Sequence, residues 1–181
     1  MKNKFLKIVL SLTLFAILIT LSGCKMSRAN VYNYWKNGDS EILPKDHIVE
    51  EVSLSKLEKM VSKQSSDSDE VIYVFYGQKS ESNNQTAIKI FNDQAVQFEI
   101  STLYWLSSDL SDKKKDELGE KLGVAKTSST GVLYAFEKGK ITFDSSRAYY
   151  SNNTSTYSYV VVAQIAFRHL YDENGEYSYT D

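Results

Sequence analysis

Val71-Ile72-Tyr73-Val74-Phe75-Tyr76, closed by Gly77, is the stretch on which the fold turns. Its six residues are all apolar or aromatic, and three of them are β-branched. A half-exposed strand would alternate with polar residues, and a helix would need a longer periodic run. An unbroken run of this kind predicts a central strand buried on both faces, with helices packed above and below it.

Working outward, the neighbouring segments supply those helices. Upstream, His47 to Ser53 reads as a weakly alternating strand. Leu54, Leu57 and Val61 then recur at helical spacing, with Met60 widening the face, so Ser53 or Ser55 caps a helix ending near Gln64. Ser65 to Glu70 is an acidic, serine-rich loop. Downstream, Ala87, Ile88, Phe91 and Ala95 mark an amphipathic helix from about Asn83 to Gln97.

Leu103-Tyr104-Trp105-Leu106 reads as a second buried strand. Ser111 and Asp112 open a charged helix that runs to Leu122 and stops at Gly123, with Glu117 and Lys121 as an i,i+4 pair. Val132 to Phe136, the turn Glu137-Lys138-Gly139-Lys140, and Ile141-Thr142-Phe143 form a hairpin. A Ser/Asn/Tyr-rich loop covers Ser145 to about Thr156. In Tyr157 to Leu170, Val160-Val161-Val162 favours a strand. Against that, Val162, Ala163, Ala166, Phe167 and Leu170 fall on one helical face and Gln164, Arg168 and Tyr171 on the other, so a helix is expected. Alternating strands and helices followed by a hairpin and a closing helix imply an α/β fold with a mixed sheet.

The N-terminus is of a different kind. Lys2, Lys4 and Lys7 precede an uncharged apolar stretch from Ile8 to Leu21, and Leu21-Ser22-Gly23-Cys24 follows. This is the architecture of a secretory signal, too short for a spanning helix of roughly 20 residues. The Leu-Ser-Gly-Cys end resembles the lipobox of bacterial lipoproteins. That resemblance implies cleavage of residues 1–23, diacylation of Cys24, and a domain held on the extracytoplasmic face of the cell membrane, since two acyl chains anchor stably. The alternative is an uncleaved anchor helix with an incidental cysteine. Residues 24–46 read as a polar tether, although Tyr32, Tyr34 and Trp35 interrupt it; they would pack back onto the domain, lie at the lipid interface or bind a partner, and packing is the favoured reading. Residues 172–181 read as a polar tail.

Cleavage would leave 158 residues, one domain with a full core. All three leader charges are basic, so the remainder carries 18 basic against 23 acidic residues, a net charge near −5. That balance argues against nucleic acid as a partner. Cys24 is the only cysteine, so no disulfide is available and stability rests on packing.

The element order resembles the thioredoxin fold, a central mixed β-sheet flanked by helices on both faces, over about residues 47–171. Val71 to Tyr76, then Gly77 and a loop into a helix, looks like the segment that presents the family's Cys-x-x-C. Leu103 to Leu106 with Ser107-Ser108-Asp109 is similar to its second central strand. Gly123-Val124 and the stretch Thr130 to Lys140 resemble the helix end, the proline loop and the hairpin turn. More narrowly, Tyr76-Gly77-Gln78 resembles the strand exit of thioredoxin-like bacteriocin transport accessory proteins.

The departures limit what that resemblance implies. Lys79-Ser80-Glu81-Ser82-Asn83-Asn84 stands where the redox pair belongs, and none of these groups forms a disulfide. Gly131 aligns where the family has a cis-proline, and a glycine does not preset that geometry. The resemblance therefore implies a redox-inactive, non-enzymatic binding or accessory factor without cofactors, in a setting such as bacteriocin export or immunity or another envelope process. Its candidate partner-binding edge is Ser80, Glu81, Ser82, Asn83 and Asn84 with Thr130 and Gly131, pairing with an extended polypeptide. An equally weighted reading of these positions is a decayed site filled by loop-compatible residues.

Other constellations are weaker. A serine hydrolase would need His47 or His169 against Ser80 or Ser82. A solute-binding or surface-adhesion lipoprotein would need an apolar pocket under the tyrosine loop. Asp67, Asp69 and Glu70 lack the EF-hand pattern, and the histidines lack ligand spacing. Lys113-Lys114-Lys115 reads as a solvated face. Tyr149 to Tyr159 has the composition of adaptable recognition loops, but also that of a low-complexity segment.

Overall fold

The computed structural model describes residues 27–124, 130–148 and 158–171. The segment 1–23 expected to be a signal, Cys24, the tyrosine-rich stretch 149–156 expected to be a loop, and residues 172–181 expected to be a tail lie outside the described residues.

Five strands form one open mixed sheet: β1 (Val49–Glu51), β2 (Ile72–Gly77), β3 (Leu103–Ser107), β4 (Val132–Glu137) and β5 (Lys140–Asp144). Their spatial order is β1-β3-β2-β4-β5. β1 and β2 both run parallel to β3, whereas β4 is antiparallel to β2 and to β5. The apolar run beginning at Val71 thus becomes the middle strand, with all six residues of β2 buried.

Side-chain alternation along β2 divides the core. Tyr73 and Phe75 face one layer, with α1 (Arg28–Trp35), α3 (Ser82–Gln97) and α6 (Tyr159–Phe167). Ile72, Val74 and Tyr76 face the other, with α2 (Leu54–Lys63) and α4 (Asp112–Leu122). This is the two-sided burial that an unbroken apolar strand demands. A short helix, α5 (Ser145–Ala148), follows β5 where a loop is expected from the sequence.

Local signals account for the helix ends. Ser53 accepts from Lys56 N–H and Ser158 from Val161 N–H, each satisfying a first-turn donor. Gly123 adopts φ +69° and its N–H bonds Gly119 C=O, so α4 stops there without a Cβ penalty. The valine run of α6 is helical because Val162, Ala163, Ile165 and Ala166 are buried on one side, which outweighs β-propensity. Leu170, expected on that buried face, lies beyond the helix and is 38% exposed.

The polar stretch read as a tether behaves differently from residue 27 onward. Ser27 caps α1, whose Val31 and Trp35 have no exposed surface. Leu43 is buried as well. Trp35 packs against Phe75 and Trp105, and Tyr34 against Trp105. The composition is that of a linker because only one narrow stripe of the helix is apolar, yet that stripe carries a fully buried tryptophan. Among the described residues no helix is long and apolar enough to cross a membrane.

Candidate functional site

The candidate edge starts where β2 ends. The Gly77 carbonyl accepts from Trp105 Nε1 at 2.9 Å and from Ser108 N–H at 3.2 Å, which pins the strand exit to β3. The chain then turns through residues 78–81 into α3. Asn84 N–H returns to Glu81 C=O at 3.0 Å as the helix begins.

Glu81 is the centre of this turn. Its carboxylate accepts from Gln78 Nε2 at 3.1 Å, from Asn84 Nδ2 at 3.3 Å, and from the Thr130 hydroxyl. Glu81 also precedes the first turn of α3, where the positive end of the helix dipole favours an anion. Asn84 Nδ2 donates further to Gln78 C=O at 3.2 Å. Asn84 is wholly buried, and its Oδ1 has no hydrogen-bond partner among the described residues.

Two glycines make room for that amide. A Cβ on Gly131, where φ is +82°, would stand 2.6 Å from Asn84 Oδ1. One on Gly77 would meet Phe75 Cζ at 2.6 Å and Asn84 Nδ2 at 3.0 Å. Gly131 N–H bonds Tyr76 C=O at 2.9 Å, so the start of β4 lies directly on the end of β2. The peptide bond expected to matter at this position is not cis, as none is among the described residues.

The structure therefore brings all seven candidate residues of the edge into one neighbourhood, but it divides their roles. Ser80, Ser82 and Asn83 are exposed, Glu81 and Thr130 are half-buried, and Asn84 and Gly131 are buried. The last two hold the turn and present no surface to a partner.

Sequence reasoning missed the support behind the loop. Lys79 Nζ donates to the Lys36 carbonyl, Gln85 Nε2 to Lys79 C=O at 2.8 Å, and Asn37 Nδ2 to Gln85 Oε1 at 3.5 Å. The segment after α1 thus straps the turn from outside. The aromatic residues Tyr34 and Trp35 were the available signal; nothing in sequence marked Lys36 or Gln85.

Both histidines are engaged at the other end of the sheet. His47 is buried; its Nε2 pairs with Arg28 C=O at 3.0 Å and its Nδ1 accepts from Val49 N–H at 3.1 Å. Burial holds its pKa below the ordinary histidine range. His169 Nε2 is 3.0 Å from the Tyr73 hydroxyl, and its Nδ1 is 3.2 Å from Tyr171 Oη, which donates to Glu137. Burial pushes the Tyr73 and Tyr171 hydroxyls up, with Glu137 adding to the effect. Val49, Tyr73 and Leu103 share one register level, whereas Gly77 pairs with Ser107. Four residues of strand, about 13 Å, separate those levels. A Ser80–His or Ser82–His pair is not assembled, and the serine hydrolase arrangement fails on geometry.

Tyr76, beneath the turn, has its hydroxyl pKa raised by burial and then by Glu81. Among the described residues no group of three or more His, Cys, Asp and Glu could hold a metal ion. What the turn offers chemically is hydroxyl and amide groups at Ser80, Ser82 and Asn83, on a frame locked by Glu81. Compared with known proteins, the chain matches no family model and no curated protein.

Proposed function

We propose that this chain is a lipid-anchored, extracytoplasmic binding factor built on a redox-inactive thioredoxin-like domain. The observation that carries the reading is the contact between Glu81 and Thr130, which sets the strand-exit turn against the start of β4. In a thioredoxin-like arrangement those two segments border the groove where an extended substrate lies. The strand order β1-β3-β2-β4-β5 and the helices on both sheet faces support the same arrangement. With Cys24 as the only cysteine, the domain itself has no thiol for exchange. The partner under this reading is an extended polypeptide or envelope protein, in bacteriocin export or immunity or another envelope process.

A photo-crosslinking amino acid at Ser80 or Asn83 of the full chain, in its own cells, tests the reading. A discrete polypeptide adduct from these positions is expected. Adducts obtained only from Lys56 or Lys63, exposed on α2 at the other sheet face, would overturn it.

A further inference from the structure

The path of α1 assigns an orientation to the domain, given the lipid anchor at Cys24 on which this inference rests. α1 begins at the end of the sheet where β1, β2 and β3 enter. Arg28 bonds Glu50 at 3.3 Å, and its carbonyl meets His47, just before β1. The helix then runs along the sheet, placing Trp35 against Phe75 and Trp105, and the Lys36 carbonyl reaches Lys79 beyond the end of β2. The chain therefore enters the domain at the pole opposite the candidate edge.

The link to the anchor is short. Arg28 follows Cys24 by four residues, which span at most about 14 Å even fully extended. Such a link holds the strand-entry pole near the lipid and leaves little freedom to tumble. The geometry points to a membrane-facing surface at this pole, around the exposed Arg28, Asp46 and Ser101, lying within about 15 Å of the lipid headgroups. Ser80, Ser82 and Asn83 face away from the bilayer, about 17 Å further out along β2. The candidate edge thereby meets partners arriving from outside, not ones emerging at the membrane surface beneath it.

Ser101 and Asp109 flank β3 at its two ends, and both are exposed. Because acylation consumes the Cys24 thiol, Ser101→Cys or Asp109→Cys adds the single labelling site. The full acylated chain, carrying a donor dye at either position, is placed in phosphatidylglycerol/phosphatidylethanolamine vesicles with a headgroup acceptor. The positions differ in height by about 15–20 Å, so roughly twofold or greater transfer is expected from residue 101 relative to 109. Inserting about ten Gly/Ser residues after Met26 adds a coil of about 17 Å and should remove the difference. Equal or reversed transfer in a chain that floats with the vesicles overturns the orientation alone. A difference that survives the insertion overturns the short-link argument. A chain that does not float overturns the anchor itself, and the orientation with it.

Discussion

Gly131 lies so close to Asn84 that a Cβ added to it would stand 2.6 Å from the buried Oδ1. The same glycine holds φ +82°, a region costly for any L side chain. Gly131→Ala therefore combines backbone strain with a clash against an amide that has nowhere to move. We expect a loss of about 2–4 kcal/mol, read as a lowered urea midpoint at unchanged slope. A loss below about 0.5 kcal/mol, the size of an ordinary surface change, would mean the turn relaxes freely.

The Glu81–Thr130 contact makes a second, independent test. Thr130→Val removes the hydroxyl donor while keeping the shape, and Glu81→Ala removes the acceptor carboxylate. Each bond to an ionised carboxylate contributes about 1.5–3 kcal/mol when desolvated, and less here because both residues are half-buried. A double-mutant cycle in denaturant should give a coupling of about 1 kcal/mol. Additive single effects would show that the two segments are merely adjacent.

Trp35 tests where the domain begins. Its indole is fully buried among Tyr34, Phe75 and Trp105. Trp35→Ala should cost about 3–5 kcal/mol, as for other large core aromatics. Deleting residues 27–46 should destabilise the fold further, because it exposes the Phe75 and Trp105 face. A chain starting at residue 47 that melts within a degree or two of the parent would restore the tether reading.

What was legible in the sequence was local. The β2 run, the apolar faces of α2 and α3, and the stop at Gly123 each carry their signal within one element. The start of α1 was not legible, because Val31 and Trp35 lie four apart among asparagines and give only a narrow apolar stripe. Their burial depends on Phe75 and Trp105, residues far along the chain. The site divided in the same way. The stretch 79–84 was visible as a departure from the thioredoxin pattern that the sequence resembles, and Thr130 and Gly131 as its counterpart. That Asn84 would be a buried wedge between two glycines, and Glu81 the acceptor for three donors, followed only once β4 lay beside β2.

His47 gives the pH dependence its sign. The folded chain keeps this imidazole neutral, with Nε2 engaged by Arg28 C=O and Nδ1 accepting from Val49 N–H, and burial lowers its pKa. In the unfolded chain it titrates near its ordinary value of about 6.5. Above that value both states are neutral and His47 contributes no slope. As pH falls below about 6.5 the unfolded state takes up a proton that the folded state refuses, so stability declines until the lowered folded pKa is reached. The slope from one group is at most about 1.4 kcal/mol per pH unit. Urea midpoints of the parent chain and of His47→Gln, compared at pH 8, 6.5 and 5, isolate this group from His169. The parent should lose stability between pH 6.5 and 5 more steeply than the variant, whatever their offset at pH 8. Parallel profiles would show that the folded state accommodates the charged imidazole at no cost.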